Sequence, residues 1–282
     1  MLEREEYVEQ AYFFRSLSDR LEENISLQDL LKSLRDELMA TTNLPKALDF
    51  VGSELRLSGS MSRAMQQLPH YFTPFQTFVI GEAERDEGRF DFRTALKVLQ
   101  FEAALRADGA SPAATFVYEF ESLARNRLGY DRGLDAMSAD PLFDADWKEW
   151  IQTVRRQVGL VDFAELLYVR SEYYRKQRVA QGLDLDGPEK PILFGEKEGR
   201  IALAHRRKDP LMLFAALQRH LNYPSVPRPP RADEQKQTLP LLLRRVERLE
   251  QRLKLVEEEQ RGGIDLNKFI GPNPTLKLDD DN

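Results

Sequence analysis

Hydrophobic residues in the first part of the chain recur at intervals of three and four, which is the spacing of one face of an α-helix. The pattern is interrupted at Ser26, Gly59, Pro69 and Gly88, so it predicts about six short helices with short connections. Helices joined in this way are typical of an antiparallel bundle, which we expect over residues 1–107. The predicted core of this bundle includes Phe13, Leu17, Leu30, Leu34, Val51, Phe75 and Leu96.

A second mainly helical region is predicted over residues 113–222, after the helix-breaking segment 108–112. Asp209 followed by Pro210 predicts the start of its last helix, with aspartate as the cap and proline in the first turn. Two short apolar runs flank a polar turn near residues 192–203, and this arrangement predicts a short β-hairpin. The expected fold class is therefore mainly α with one small hairpin.

The pattern changes again beyond this region. Four prolines fall within residues 223–230, and their preference for extended backbone predicts a linker over residues 223–237. Residues 238–261 then place apolar side chains at the a and d positions of a heptad, which predicts a C-terminal coiled-coil helix. Its apolar contact positions include Leu242, Val246, Leu249, Leu253 and Val256. Residues 262–282 are predicted to be a flexible tail.

Charged residues beside the heptad favour two parallel copies of this helix. Arg245 and Arg252 fall at g positions, while Glu250 and Glu257 fall at the following e positions. Opposite charges would then face each other across a parallel pair. We therefore expect a homodimer through the coiled coil. The alternative is a helix that folds back onto its own domain.

Several short motifs follow one another in order between residues 13 and 107. They are Phe13-x-x-x-Leu17, Ser26-Leu27-x-x-x-Leu31, Gly59-Ser60-Met61-Ser62-x-Ala64, Pro69-x-x-Phe72, Gly81-Glu82, Gly88 and an apolar helix with Leu96 and Leu99. This order resembles the F domain of type II secretion and type IV pilus assembly platforms. The resemblance implies a helical interaction module, and it implies partners such as a secretion or pilus ATPase or an assembly factor.

The resemblance also draws attention to the end of one predicted helix. In some F domains, acidic residues near the Gly-Glu pair meet across a dimer interface, which makes Glu82 and Glu84 candidate interaction residues. The alternative for both is an ordinary solvated helix face. Platform proteins have a transmembrane helix after each F domain, whereas the helix predicted after residues 108–112 is charged. No membrane span is predicted, because no window approaches eighteen uninterrupted apolar residues.

Composition excludes several kinds of chemistry. The 282 residues include no cysteine, so disulfides, thiolate metal sites and cysteine nucleophiles are excluded. The three histidines, His70, His205 and His220, show no ligand spacing, and no nucleotide-binding motif is present. We therefore predict no catalytic residue, no cofactor and no metal site, and expect the protein not to be an enzyme. A charged amino terminus without a following apolar run indicates a cytoplasmic location.

One basic cluster remains as a candidate interaction site. Arg206, Arg207 and Lys208 are consecutive, and other cations precede them from residue 170 onward. Such a cluster could contact an acidic partner or a phosphate backbone, or it could pair within the chain with the acidic amino-terminal bundle. The net charge of −6 is unfavourable for a dedicated nucleic-acid binder. The leading hypothesis is a cytoplasmic scaffold or adaptor that acts through protein contacts and self-association, and the alternative is a regulator that binds nucleic acid through residues 170–208. An enzyme with an unrecognised site is a third hypothesis that no motif supports.

Overall fold

A computed structural model describes residues 2–21, 25–39, 41–85, 90–182 and 190–228. These residues belong to one compact unit, Met1–Pro229, and they contain thirteen α-helices and no β-strand. The prediction of a mainly helical protein is confirmed. The helices are α1 (Arg4–Arg20), α2 (Leu27–Glu37), α3 (Leu44–Ser58), α4 (Met61–Gln66), α5 (Pro74–Ala83), α6 (Phe92–Ala107), α7 (Pro112–Asn126), α8 (Tyr130–Ser138), α9 (Ala145–Gln157), α10 (Phe163–Tyr168), α11 (Glu172–Ala180), α12 (Glu196–Ala204) and α13 (Pro210–Leu221).

Polar side chains start most of these helices. A serine, threonine or aspartate at the cap accepts a hydrogen bond from the backbone of the first turn, where N–H groups lack partners within the helix. The predicted cap Ser26 accepts from Asp29 N at 3.1 Å, and the predicted cap Asp209 accepts from Leu211 N at 2.9 Å. Gly59 ends α3 with a positive φ of 70°, as expected of a helix-terminating glycine.

The core of the first six helices agrees with the apolar pattern of the sequence. All seven residues predicted to be buried there are at most 1% exposed. Helix α1 packs along α6, α2 packs along α3, and α4 contacts both α3 and α5. The more specific description of these helices as an antiparallel bundle stays a prediction.

The second half of the described chain is built around α7. Its neighbours are α6, α8 and α13, and its side chains are buried on nearly every face. Phe116 of this helix lies at the centre of an aromatic cluster, with its ring centroid 4.7 Å from that of Trp150 and 5.8 Å from that of Phe120. One hydrophobic cluster contains residues from both sides of the segment 108–112. The division into domains 1–107 and 113–222 stays a prediction.

The predicted β-hairpin near residues 192–203 is wrong. The second apolar run lies within α12, and the first forms only an isolated bridge between Phe194 and Ser171. Apolar runs of three residues do not distinguish strand from helix. Helix is favoured here because Glu196 and Glu198 lie in the first turn, where acidic side chains interact favourably with the helix dipole. Gly199 permits close packing, since an added Cβ would lie 2.2 Å from the Ser171 hydroxyl oxygen.

No helix in the described part of the chain is both long enough and apolar enough to cross a membrane.

Candidate functional site

Three buried carboxylates surround one buried arginine between α6 and α7. The Arg106 Nη2 atom donates to Glu119 Oε1 at 3.0 Å and to Asp140 Oδ2 at 2.7 Å, and Nε donates to Glu102. The side chain of Arg106 is 4% exposed and those of its three partners are fully buried. We call these four residues the Arg106 cluster. Glu102 and Arg106 share a face of α6, Glu119 comes from α7, and Asp140 follows α8.

The Arg106 cluster has more negative than positive groups. With all four side chains ionised, three carboxylates and one guanidinium would leave two uncompensated negative charges. Burial raises the pKa of both Glu102 and Glu119, and Asp140 adds to the effect, although Arg106 opposes it. Burial opposes the charge on Arg106, but the three carboxylates hold its pKa well above the ordinary value. Glu119 Oε2 has no hydrogen-bond partner among the described residues.

A chain of buried hydrogen bonds connects this cluster to α5 and α1. The Gln76 amide donates to Glu102 Oε2 at 2.7 Å and to Gln10 Oε1 at 3.0 Å. Gln10 in turn donates to the Tyr71 carbonyl at 3.2 Å, and the Tyr71 hydroxyl donates to Glu6 at 2.7 Å. Because each buried polar side chain in this network has a hydrogen-bond partner, the network holds α1, α5 and α6 in one arrangement.

A pocket of about 600 Å³ opens beside the Arg106 cluster. It lies between the start of α1, the end of α6 and the first turn of α7. Its polar wall includes Arg4, Tyr7, Arg106 and Thr115, and Leu142 belongs to its apolar wall. This volume is in the range of small-molecule sites. The sequence did not indicate the pocket, since its residues come from distant parts of the chain.

The raised pKa of Glu119 predicts that the stability of the protein depends on pH, and a single substitution should weaken this dependence. Its contribution to stability is fully present below the ordinary carboxyl pKa of 4.5 and is lost as pH rises through the raised value. Glu119→Gln removes the ionisation, so as pH rises from 4.5 toward the raised pKa we expect its free energy of unfolding to fall less than that of the wild type. Urea unfolding across this range measures the difference.

Glu37→Gln is the matched control for this prediction. Glu37 is exposed, and its hydrogen bonds from Arg20 lower its pKa. Its contribution to stability is lost only as pH falls below the ordinary carboxyl pKa of 4.5, so above that pH the Glu37→Gln profile should run parallel to that of the wild type. A Glu119→Gln profile parallel to that of the wild type would contradict an ionisation of Glu119 in this range.

The two acidic residues at the end of α5 both bind groups of this chain. Glu84 Oε2 accepts hydrogen bonds from the Ser60 hydroxyl at 2.8 Å and from Ser62 N at 3.1 Å. This carboxylate therefore caps the amino-terminal end of α4. Glu82 forms ion pairs with Arg132 of α8 and, at 3.4 Å, with Arg85. Their predicted role at a dimer interface stays a prediction.

The basic cluster lies against α10. The Arg206 guanidinium donates to Glu165 Oε1 at 2.7 Å and lies 4.1 Å from the centre of the Tyr168 ring. Arg207 N donates to Asp162 Oδ2 at 2.6 Å, which joins the segment after α12 to the segment before α10. The side chains of Arg207 and Lys208 are exposed and form no ion pair within the described residues.

Four exposed apolar side chains adjoin these segments along the chain, two directly before Asp162 and two in the first turn of α13. Leu160 is 84% exposed, Met212 is 58% exposed, and Val161 and Leu211 are also exposed. Phe163 and Phe214 follow them in α10 and α13, and these two rings are buried with their centroids 5.8 Å apart. We call this set, with its two cations, the 160/212 surface; its members are Leu160, Val161, Arg207, Lys208, Leu211 and Met212. The sequence did not reveal it, because exposed apolar residues next to buried ones resemble core residues.

Other cationic side chains of the predicted basic region are buried or form ion pairs with groups of this chain. Arg170 is buried, and Lys176 lies 2.8 Å from Glu172 and 2.7 Å from Glu196. Such pairs reduce the positive charge that residues 170–208 offer to a phosphate backbone.

The predicted linker is described only through residue 228, and the coiled coil and the tail lie outside the described residues. The coiled-coil contact positions Leu242, Val246, Leu249, Leu253 and Val256 therefore keep the status of predictions, as does the homodimer.

Within the described residues, no three histidine, cysteine, aspartate or glutamate side chains are placed to hold a metal ion. The carboxylates of the Arg106 cluster bind a guanidinium group instead. No family model, no curated protein and no solved structure matches the chain.

Proposed function

We propose that this protein is a non-enzymatic adaptor that binds a partner protein through the 160/212 surface. The observation that supports this function is the hydrogen bond from Arg207 N to Asp162, which joins the segment that follows Leu160 and Val161 to the segment that precedes Leu211 and Met212. Apolar side chains in the middle and charged groups at the edge are the usual composition of a protein interface.

The chemistry of this surface defines the partner. Burying large apolar side chains such as Leu160 and Met212 contributes about 1.5–3 kcal/mol each when burial is complete. The exposed cations Arg207 and Lys208 favour acidic groups and raise the rate of association with them. The partner is therefore expected to present an apolar segment flanked by aspartate or glutamate.

Nucleic acid fits this surface less well. Phosphate backbones are bound by groups of unpaired cations, and here Arg206 already pairs with Glu165 while the apolar side chains face solvent.

The sequence adds two further parts to the proposal. Self-association through residues 238–261 would give one assembly two copies of the partner site, and the support for it is the heptad pattern. The F-domain resemblance suggests a secretion or pilus ATPase or an assembly factor as the partner. The proposed adaptor function does not depend on that resemblance, for which the comparisons offer no support.

The experiment compares three forms of the full chain as bait for affinity capture from the source cells. They are the wild type, the double variant Leu160→Glu/Met212→Glu, and Leu57→Glu as the matched control. Leu57 is a leucine of α3 that is 81% exposed, which is close to the exposure of Leu160. We expect the wild type and the control to capture the same protein and the double variant to lose it.

The captured protein is then purified and its affinity is measured. Loss of a central interface group costs 2 kcal/mol or more, so the double variant should bind about thirtyfold more weakly or worse. Arg207→Glu should also weaken binding, and the loss should be larger at low salt. Equal affinity of the wild type and the double variant would refute the proposal, and so would captured nucleic acid with no bound protein.

A further inference from the structure

The pocket beside the Arg106 cluster contains hydrogen-bond donors without acceptors. Thr115 is 1% exposed and lines the pocket, yet its hydroxyl has no hydrogen-bond partner among the described residues. The Tyr7 hydroxyl accepts from Leu2 N at 3.4 Å and donates to no described group. A buried hydroxyl without a partner costs stability, which is expected where a bound molecule supplies the missing partner.

Two arginines complete the polar side of the pocket. Arg106 uses its Nε and Nη2 atoms on the three carboxylates, which leaves Nη1 for another acceptor. Arg4 is the first residue of α1, where the helix dipole disfavours a cation, and it has no ion pair within the described chain. Both arginines line the pocket, so a bound anion could accept hydrogen bonds from Arg4, from Arg106 Nη1 and from the two hydroxyl groups.

We propose that this pocket binds a small organic acid, with its carboxylate held by Arg4, Arg106 and Thr115 and its apolar body against Leu2 and Leu142. Planar carboxylates match the geometry of guanidinium groups. A single negative charge is preferred over a phosphate dianion, because the carboxylates of the Arg106 cluster repel each further charge. The apolar wall requires a ligand with a hydrocarbon part.

The proposal is tested by titrating the full chain with octanoate in a calorimeter, at constant ionic strength. Octanol and octylamine are the matched probes, since they have the same chain with a neutral or a positive head. We expect saturable binding of one octanoate per chain. Both other probes should bind much more weakly, because neither supplies an anion to the two arginines.

Two conservative variants locate the site. Thr115→Val keeps the shape of the side chain and removes the hydroxyl, and Arg4→Gln removes one charge at an exposed position. Each should weaken octanoate binding about tenfold, the effect of losing one hydrogen bond to a charged group. Arg15→Gln, on the same helix but away from the pocket, should leave the affinity unchanged.

Three outcomes would overturn the proposal. They are absence of saturable octanoate binding, equal binding of octylamine or octanol, and octanoate binding that neither Thr115→Val nor Arg4→Gln weakens. Circular dichroism of each variant verifies that the helices are retained, so that lost affinity can be assigned to the site.

Discussion

Replacing Arg106 with methionine should destabilise the protein by about 3–5 kcal/mol, the usual cost of removing one partner from a buried ion pair. Methionine fills a similar volume, so the loss measures charge and hydrogen bonding more than packing. Glu102, Glu119 and Asp140 would then be buried together without a cation. Denaturant unfolding at neutral pH, followed by circular dichroism, measures the change.

Two further substitutions test whether the loss of stability in Arg106→Met depends on burial and charge. Arg20→Met removes an arginine from a partly exposed pair with Glu37, and it should cost only about 0.2–1 kcal/mol. Arg106→Lys keeps the positive charge but loses the planar set of guanidinium donors. Its loss of stability should therefore fall between those of Arg20→Met and Arg106→Met. The loss in Arg106→Met should also shrink in mild acid, because protonation removes the repulsion among the carboxylates. An Arg106→Met protein as stable as Arg20→Met would contradict this view of the cluster.

Local patterns in the sequence were sufficient for much of the helical core. Residues such as Phe13, Leu34 and Phe75 stand at helical spacing, and all are buried. The caps Ser26 and Asp209 were also identified correctly, because a cap depends on residues within one turn. The hairpin prediction is wrong at residues 192–203, because apolar runs of three residues do not distinguish a strand from a helix such as α12, which packs on α10.

The candidate sites depend on contacts between distant positions. Glu102 and Arg106 are four residues apart and could be paired from the sequence, but Asp140 lies 34 residues beyond Arg106. The same holds for the 160/212 surface, whose two segments meet through a hydrogen bond between positions 45 residues apart. Nothing in either segment alone distinguishes an exposed leucine from a buried one.

Replacing Phe116 with alanine should cost about 3–5 kcal/mol, the range for truncating a large buried aromatic side chain. Phe116 is fully buried, and its ring contacts those of Phe120, Phe143, Trp147, Trp150 and Phe163. Truncation therefore leaves a cavity with rings on several sides, and it also removes the edge and stacking interactions of those rings. Denaturant unfolding measures the loss of stability.

Tryptophan fluorescence adds a local signal to this measurement. Trp147 and Trp150 are the two tryptophans of the chain, and their ring centroids lie 5.7 Å and 4.7 Å from that of Phe116. Phe116→Ala should therefore shift the native emission spectrum, whereas Phe78→Ala, at a half-buried position of α5, should leave it unchanged and cost less. Phe116→Leu, which retains most of the volume, should lose less stability than Phe116→Ala. If Phe116→Ala and Phe78→Ala were equally stable with the same emission, Phe116 could not be the centre of a packed aromatic core, because a cavity among these rings must change both quantities.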